Sequence, residues 1–417
     1  MQRDPGRSIP PTWVLALPIL SFGMVFGFAI VTLPQMLAAQ GIPGGRIATV
    51  VAVVTIPTFL GFLFAPVLDL WFRRRTYAVF FATLASASTA FTVIHHQSIR
   101  GVEVVMLVGV AAAAKCSEAL GGWIGSLVDA TENTSLGVWT TVFNIGGGGA
   151  GILLSGYATQ HFPPQTAAVA MFVVLLAPFS IIPLIPAPAP DATLARQRFG
   201  RFAREIVSLL ERHDVWIALV LFTLPSASFA LTNVLGGWGA SFHAVPAQVS
   251  LLGGAGSGAA GIIGCALVPR LARCVPLRPL YLSIGLVGAA FTASLLLSPL
   301  TPWTYGAAFV GENVFQGAAF SVSTAIIFEI IGSGNPLSAT IYASLIAAGN
   351  LPLIYMEFVD GRGFAWGGVR GALGADALIS GGACVLLAIA LRRSIFRQST
   401  AGVVPQVASV GIDEQAR

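Results

Sequence analysis

The sequence predicts an all-α membrane protein of twelve transmembrane helices, arranged as two six-helix bundles. Three observations predict it. Of 417 residues, 55% are hydrophobic and only 9% are charged, where a soluble domain carries roughly a quarter; the mean hydropathy is +0.83. The apolar residues gather in runs long enough for the about 20 helical residues that a bilayer core requires. The arginines gather between those runs, mostly at every second connection.

Taken in order, the runs lie near 13–37, 46–69, 76–95, 101–124, 136–158 and 166–187, and then near 214–236, 247–268, 279–299, 303–330, 338–359 and 370–391. Arg3 and Arg7 precede the first run, as in a signal peptide. That run is longer than a signal's apolar region and no cleavage site follows, so it reads as a retained span. Pro57 and Pro66 in the second span, and Pro225 in the seventh, are expected to kink their helices. The fifth span carries Gly146 to Gly149 and Gly151, and the eighth carries Gly253, Gly254, Gly256, Gly258, Gly261 and Gly264. Neither stretch has the lysine and hydroxyl of a phosphate-binding loop. Close helix packing, or bending, is their expected role.

The organisation that follows is a first bundle over 1–187, a linker over 188–213, a second bundle over 214–391 and a tail over 392–417. Within the linker, Phe199, Phe202, Ile206 and Leu209 recur at helical spacing, with Arg198, Arg201, Glu205 and Arg212 on other faces. This reads as an amphipathic helix on the membrane surface, or equally as a solvated linker helix. With both termini inside, seventeen arginines fall on the cytoplasmic side, and only Arg46, Arg100, Arg362 and Arg370 fall outside. That asymmetry is the positive-inside pattern of an inner-membrane protein. It also accounts for the net charge of +5 without a nucleic-acid partner.

Chemistry-bearing patterns are few. Cys116, Cys265, Cys274 and Cys384 stand apart, with no metal-ligand spacing. His95, His96, His161 and His243 lie at or near outer loops. No nucleophile–base–acid series is recognisable, so neither metal, cofactor nor enzymatic activity is expected. An integral-membrane enzyme acting on a lipid-linked substrate is the alternative from another class. It would need a polar catalytic cluster open to one leaflet.

The sharpest motif is the run from Gly61 to Arg75, in which Asp69 precedes Arg73, Arg74 and Arg75. A carboxylate at a helix end followed by a basic turn is suited to a conformational latch between helices. The same arginines also serve as a plain topology signal. Charge inside spans is costly and so points to function. Lys115 and Glu118 share a face of the fourth span. Glu312 and Glu329 bracket the tenth, and Glu357 and Asp376 fall in the last two. Burial favours the neutral form of a carboxylate, which makes Glu312 and Glu118 proton-coupling candidates, with Lys115 and Glu357 beside them. If Lys115 neutralises Glu118, Glu312 is the better carrier. Trp123, Trp139, Asn144, Asn233, Trp238, Asn313 and Gln316 are candidates to line a solute cavity, since aromatic walls with amides suit a bulky, partly polar solute. Trp13, Trp216 and Trp303 read as interfacial anchors.

The layout, with Asp69 and its arginines after the second span, resembles the major facilitator superfamily. More narrowly, the phrases at Gly41 to Pro43, Phe64 to Asp69 and Arg73 to Arg75 resemble the AmpG-like muropeptide permeases and the related siderophore permeases. The resemblance implies alternating access around a cavity between two six-helix bundles, commonly driven by protons. In the muropeptide group the fourth helix tends to carry an acidic pair before an aromatic residue. Here the stretch ending at Trp123 has Ser117 and Gly121 there, with Lys115 and Glu118 displaced beside them. The expected function is a proton-coupled importer of an amphiphilic organic solute, muropeptide-like or a siderophore, acting as a monomer in the lipid bilayer. An exporter or facilitator of the same fold is the alternative.

Overall fold

A computed structural model describes residues 9–42, 44–69, 72–95, 97–186, 212–333, 335 and 337–392. Every regular element among the described residues is helical. We label the principal helices α1 (Ile19–Leu37), α2 (Val53–Leu68), α3 (Arg74–Ile94), α4 (Ile99–Gly125), α5 (Asn133–His161), α6 (Pro164–Leu184), α7 (His213–Thr223), α8 (Leu252–Leu271), α9 (Leu277–Leu295), α10 (Pro302–Ile331) and α11 (Ser338–Ala390). Eight of these are long and apolar enough to cross a bilayer. α5 has the length, at 29 residues, but its threonines, asparagines and glycines dilute its apolar character. α2 and α7 are the shorter apolar helices. The linker helix expected within 188–213 falls mostly at 187–211, and the tail at 393–417; both lie outside the described residues, as does His96.

Sequence breakers shape three helices, two of them at the prolines where kinks are expected. α2 is interrupted at Ile56, before Pro57, and again by a tight 3-10 turn over Gly61–Phe64, just before Pro66. α7 stops at Thr223, two residues before Pro225, because proline cannot donate to the helical ladder. An irregular stretch over 224–230 follows, with Phe229 in the left-handed region (φ 50°), before helix resumes at Leu231–Val234. α11 turns at Gly367 and Gly368. Gly368 has φ 59° and ψ −149°, a conformation open essentially only to glycine. The runs expected at 338–359 and 370–391 are therefore the two arms of α11. They double back tightly enough that a Cβ on Gly363 would sit 2.6 Å from the Gly371 carbonyl.

The glycine stretches pack helices closely. Gly23 and Gly27 of α1 lie against Gly147 and Gly148 of α5, and a Cβ on Gly151 would meet Met24 Cα at 2.5 Å. In the same way Gly261 and Gly264 of α8 bring its backbone against α10 at Gly317 and Ala318. Without a hydrophobic drive between helices in lipid, such close backbone approach is what dispersion forces need. Helices α1–α6 pair chiefly as α1 with α5, α3 with α4 and α3 with α6; α7–α11 pair as α8 with α10, α9 with α10 and α9 with α11. The crossing contacts run from α4 and α2 to α11, and from α5 to α8 and α10.

Candidate functional site

The α2–α3 turn reaches across to the start of α11. That helix begins after Leu337, whose side chain offers no cap, so the first N–H groups need an outside acceptor. Asp69 supplies it. Its buried carboxylate accepts from the Ala339 N–H (3.2 Å), the Thr340 N–H (2.9 Å) and the Thr340 hydroxyl (2.7 Å). Arg74 completes the arrangement, donating Nε and Nη2 to Asp69 Oδ1 at 3.1 and 2.9 Å and reaching the Asn335 carbonyl at 3.3 Å. An anion at a helix N-terminus also complements the helix dipole. Of the three arginines, Arg74 meets Asp69. Arg73 is exposed and precedes the first turn of α3, and Arg75 is half-buried.

Next to this contact, α4 and α11 touch through glycine. A Cβ on Gly122 would lie 2.5 Å from Ala339 Cα, and one on Gly121 would enter the Tyr342 ring. Gly137 of α5 meets Ser321 and Ala325 of α10 in the same manner. Trp123 sits in this region but is only 1% exposed, packed in the main core with its indole N–H donating to the Pro186 carbonyl at 2.8 Å. Its neighbours Gly121 and Gly122 bring α11 close beside it.

Lys115 and Glu118 do pair, at 2.6 Å, with side chains 12% and 8% exposed. Lys115 Nζ also donates to the Gly61 carbonyl in the tight turn of α2, so the pair ties α4 to the interrupted helix. Removing one member of a buried pair strands the other charge. Lys115→Met or Glu118→Gln alone is expected to cost about 3 kcal/mol. The double variant should regain at least half of that in thermal unfolding of the purified protein. Additive losses would show that the two do not act as a unit.

The second group of acids lies in α10 and α11. Glu312 is 1% exposed and receives the Thr292 hydroxyl at 2.5 Å. Asp376, 4% exposed on the second arm of α11, and Asp360, fully buried on the first arm, are within electrostatic reach of Glu312. Asp360 in turn senses Glu357, whose Oε1 accepts from Asn233 Nδ2 at 2.8 Å. Glu312 Oε2, both Asp360 oxygens and Asp376 Oδ1 have no hydrogen-bond partner among the described residues. Glu118 does not join these acids; its partner is Lys115. Glu329 stands apart too, facing Arg278 at 4.0 Å with its own side chain 46% exposed.

The remaining cavity candidates each have their own neighbours. Gln316 donates to the Thr232 hydroxyl at 2.7 Å, and Asn313 turns back to the Phe309 carbonyl at 2.8 Å. Trp238 stacks on Phe364 with ring centres 5.0 Å apart, and Trp139 on Phe143 at 5.7 Å. Asn144 is half-buried on α5. Sequence reasoning missed Asp360, Thr292 and Thr340. Asp360 lies three residues after Glu357, and that spacing was its available signal. Nothing in sequence marks the two threonines, since their partners are 20 and 271 residues away. Among the described residues no group of three or more His, Cys, Asp or Glu side chains is placed to hold a metal ion.

Comparison with known proteins agrees with the helical layout. The Major Facilitator Superfamily pattern matches residues 15–354. No curated protein matches the sequence. Solved structures do: the proton:xylose symporter XylE (13% identity, TM-score 0.65, 92% of this chain and 96% of that one); the E. coli fucose:proton symporter FucP (13%, 0.67, 90% and 98%); and the human organic anion transporter TETRAN (14%, 0.66, 90% and 98%). At these identities the likeness is one of fold. The pattern match spans well over half of the sequence, and the chain belongs to the Major Facilitator Superfamily: it is a multi-pass membrane transporter and not an enzyme.

Proposed function

We propose that the chain is a proton-coupled importer of an amphiphilic organic solute in the inner membrane, working by alternating access. The observation that carries this reading is Asp69, whose carboxylate joins the α2–α3 turn to the first turn of α11. Such a contact, made by a few hydrogen bonds across two groups of helices, holds one state and is lost in the other. In the twelve-span reading, with two six-helix bundles and cytoplasmic termini, this contact closes the cytoplasmic face. Asp69, Arg74 and Thr340 then form the latch, with Arg73 and Arg75 fixing its side of the membrane.

Proton coupling rests on Glu312. Thr292 has one hydroxyl proton but stands 3.1 Å from the Gly288 carbonyl and 2.5 Å from Glu312 Oε1. A proton on Glu312 lets the acid donate to Thr292 while Thr292 donates to Gly288. Glu357 and Asp360 are the groups that would pass protons towards it. Two structural neighbours are named as proton symporters. Lys115 and Glu118 serve better as a tie between α2 and α4 than as a carrier. Asn144, Asn233 and Gln316, with Trp139, are the groups we assign to the solute path. Amides beside aromatic rings suit sugar–peptide conjugates or siderophores.

The test uses inside-out and right-side-out vesicles carrying the full chain, with a radiolabelled disaccharide–peptide and an iron-loaded siderophore as probes. Accumulation of one probe under an imposed pH gradient, collapsed by a protonophore, is the expected result. Equal uptake with and without the gradient would remove proton coupling. Retention of neither probe would remove the solute class.

A further inference from the structure

We propose that the break after α7 and the second arm of α11 form a binding site for one sodium ion. The site is a small cavity of about 10 Å³, room for the centre of one water-sized particle. Its polar lining comes from three elements: Ser226 and Ser228 in the irregular stretch, Thr292 of α9, and Asp376 with Ser380 of α11.

Each contributes for a traceable reason. Asp376, Ser380 and Cys384 are four residues apart, so they share one helical face. That face is held against the break by the Cys384 thiol, which donates to the Ser226 carbonyl at 2.8 Å. On the other wall, a Cβ on Gly285 would collide with the Ser226 carbonyl, so only glycine lets α9 come this close. Ser228, Asp376 and Ser380 are 4%, 4% and 7% exposed. Ser228 Oγ, Asp376 Oδ1 and Ser380 Oγ all lack a hydrogen-bond partner among the described residues. Three buried oxygens without partners around one small cavity are costly unless a ligand satisfies them.

The ligand's chemistry follows from the donors. All are hard oxygens, and broken helices in transporters offer backbone carbonyls to coupling cations as well. A single carboxylate lines the cavity, so its charge balances one monovalent ion. Calcium takes six to eight oxygens and magnesium several waters in an octahedron, which this space does not admit. The site is distinct from Glu312 but joined to it, because Thr292 both lines the cavity and bonds the Glu312 carboxylate.

The experiment is equilibrium binding of radioactive sodium to the purified full-length protein in detergent, with thermal unfolding in NaCl, KCl and choline chloride at equal ionic strength. We expect saturable binding near one ion per chain and a raised melting temperature in NaCl alone. Asp376→Asn should abolish both, and Ser228→Ala or Ser380→Ala should weaken apparent affinity by about tenfold. If Asp376→Asn does not fold, the two serine variants carry the test. No saturable binding, an equal response to choline, or wild-type affinity in both serine variants would overturn the proposal. The measurement needs no solute, so its failure leaves the transport reading standing, and the failure of transport leaves the ion site standing.

Discussion

Asp69→Asn is expected to cut solute uptake at least tenfold while leaving membrane insertion unchanged. The carboxylate receives two bonds from Arg74 and three from the start of α11, and its side chain is fully buried. Asparagine keeps one acceptor oxygen but loses the charge, leaving Arg74 without the Asp69 counter-charge at a closed interface. Breaking one side of a buried pair costs about 3 kcal/mol, roughly 100-fold in the ratio of closed to open states. The readout is alkylation of Ser338→Cys in a background lacking the four native cysteines. Ser338 is fully buried, with its backbone against Gly122 of α4. Labelling should rise at least tenfold when Asp69→Asn is added. Unchanged labelling and uptake would reduce the motif to a topology signal.

Glu312→Gln is the second large effect. Glutamine retains the size and an acceptor for Thr292, but it cannot release a proton. It therefore imitates one protonation state permanently. Accumulation driven by a pH gradient should fall by more than 100-fold, to no more than equal concentrations on both sides. Exchange of labelled for unlabelled solute across the same vesicles needs no net proton movement. It should stay within about threefold of wild type, because the interactions made by solute itself are untouched. Full gradient-driven accumulation in the variant would transfer the carrier role elsewhere, with Asp360 and Asp376 next to be tested.

These two residues also show how unevenly the site was legible. Asp69 could be picked out because its arginines follow within six residues, although sequence gave no hint that its main partner is a helix start 270 residues away. Glu312 was visible as a charge in an apolar run. Its relation to Thr292 and Asp376 was not, since both lie on other helices. The Lys115–Glu118 pair was readable because three residues on one helix share a face, whereas Lys115's bond to Gly61 required the turn in α2. Trp123 was ambiguous in sequence because an aromatic near a span end suits an anchor, a cavity wall or a core position equally well.

By itself, the chain's sequence determined that apolar helices dominate, where prolines and glycines interrupt them, and which few residues carry charge into them. These are local properties: hydropathy, backbone donors and side-chain size act over a few neighbouring residues. Tertiary structure alone decided that Asp69 caps α11, that Trp123 is core, and that Ser228, Thr292, Asp376 and Ser380 surround one cavity. Side chains tens to hundreds of residues apart meet only once helices have packed, and in lipid that packing is set by close backbone contact at particular glycines rather than by any pattern along the chain.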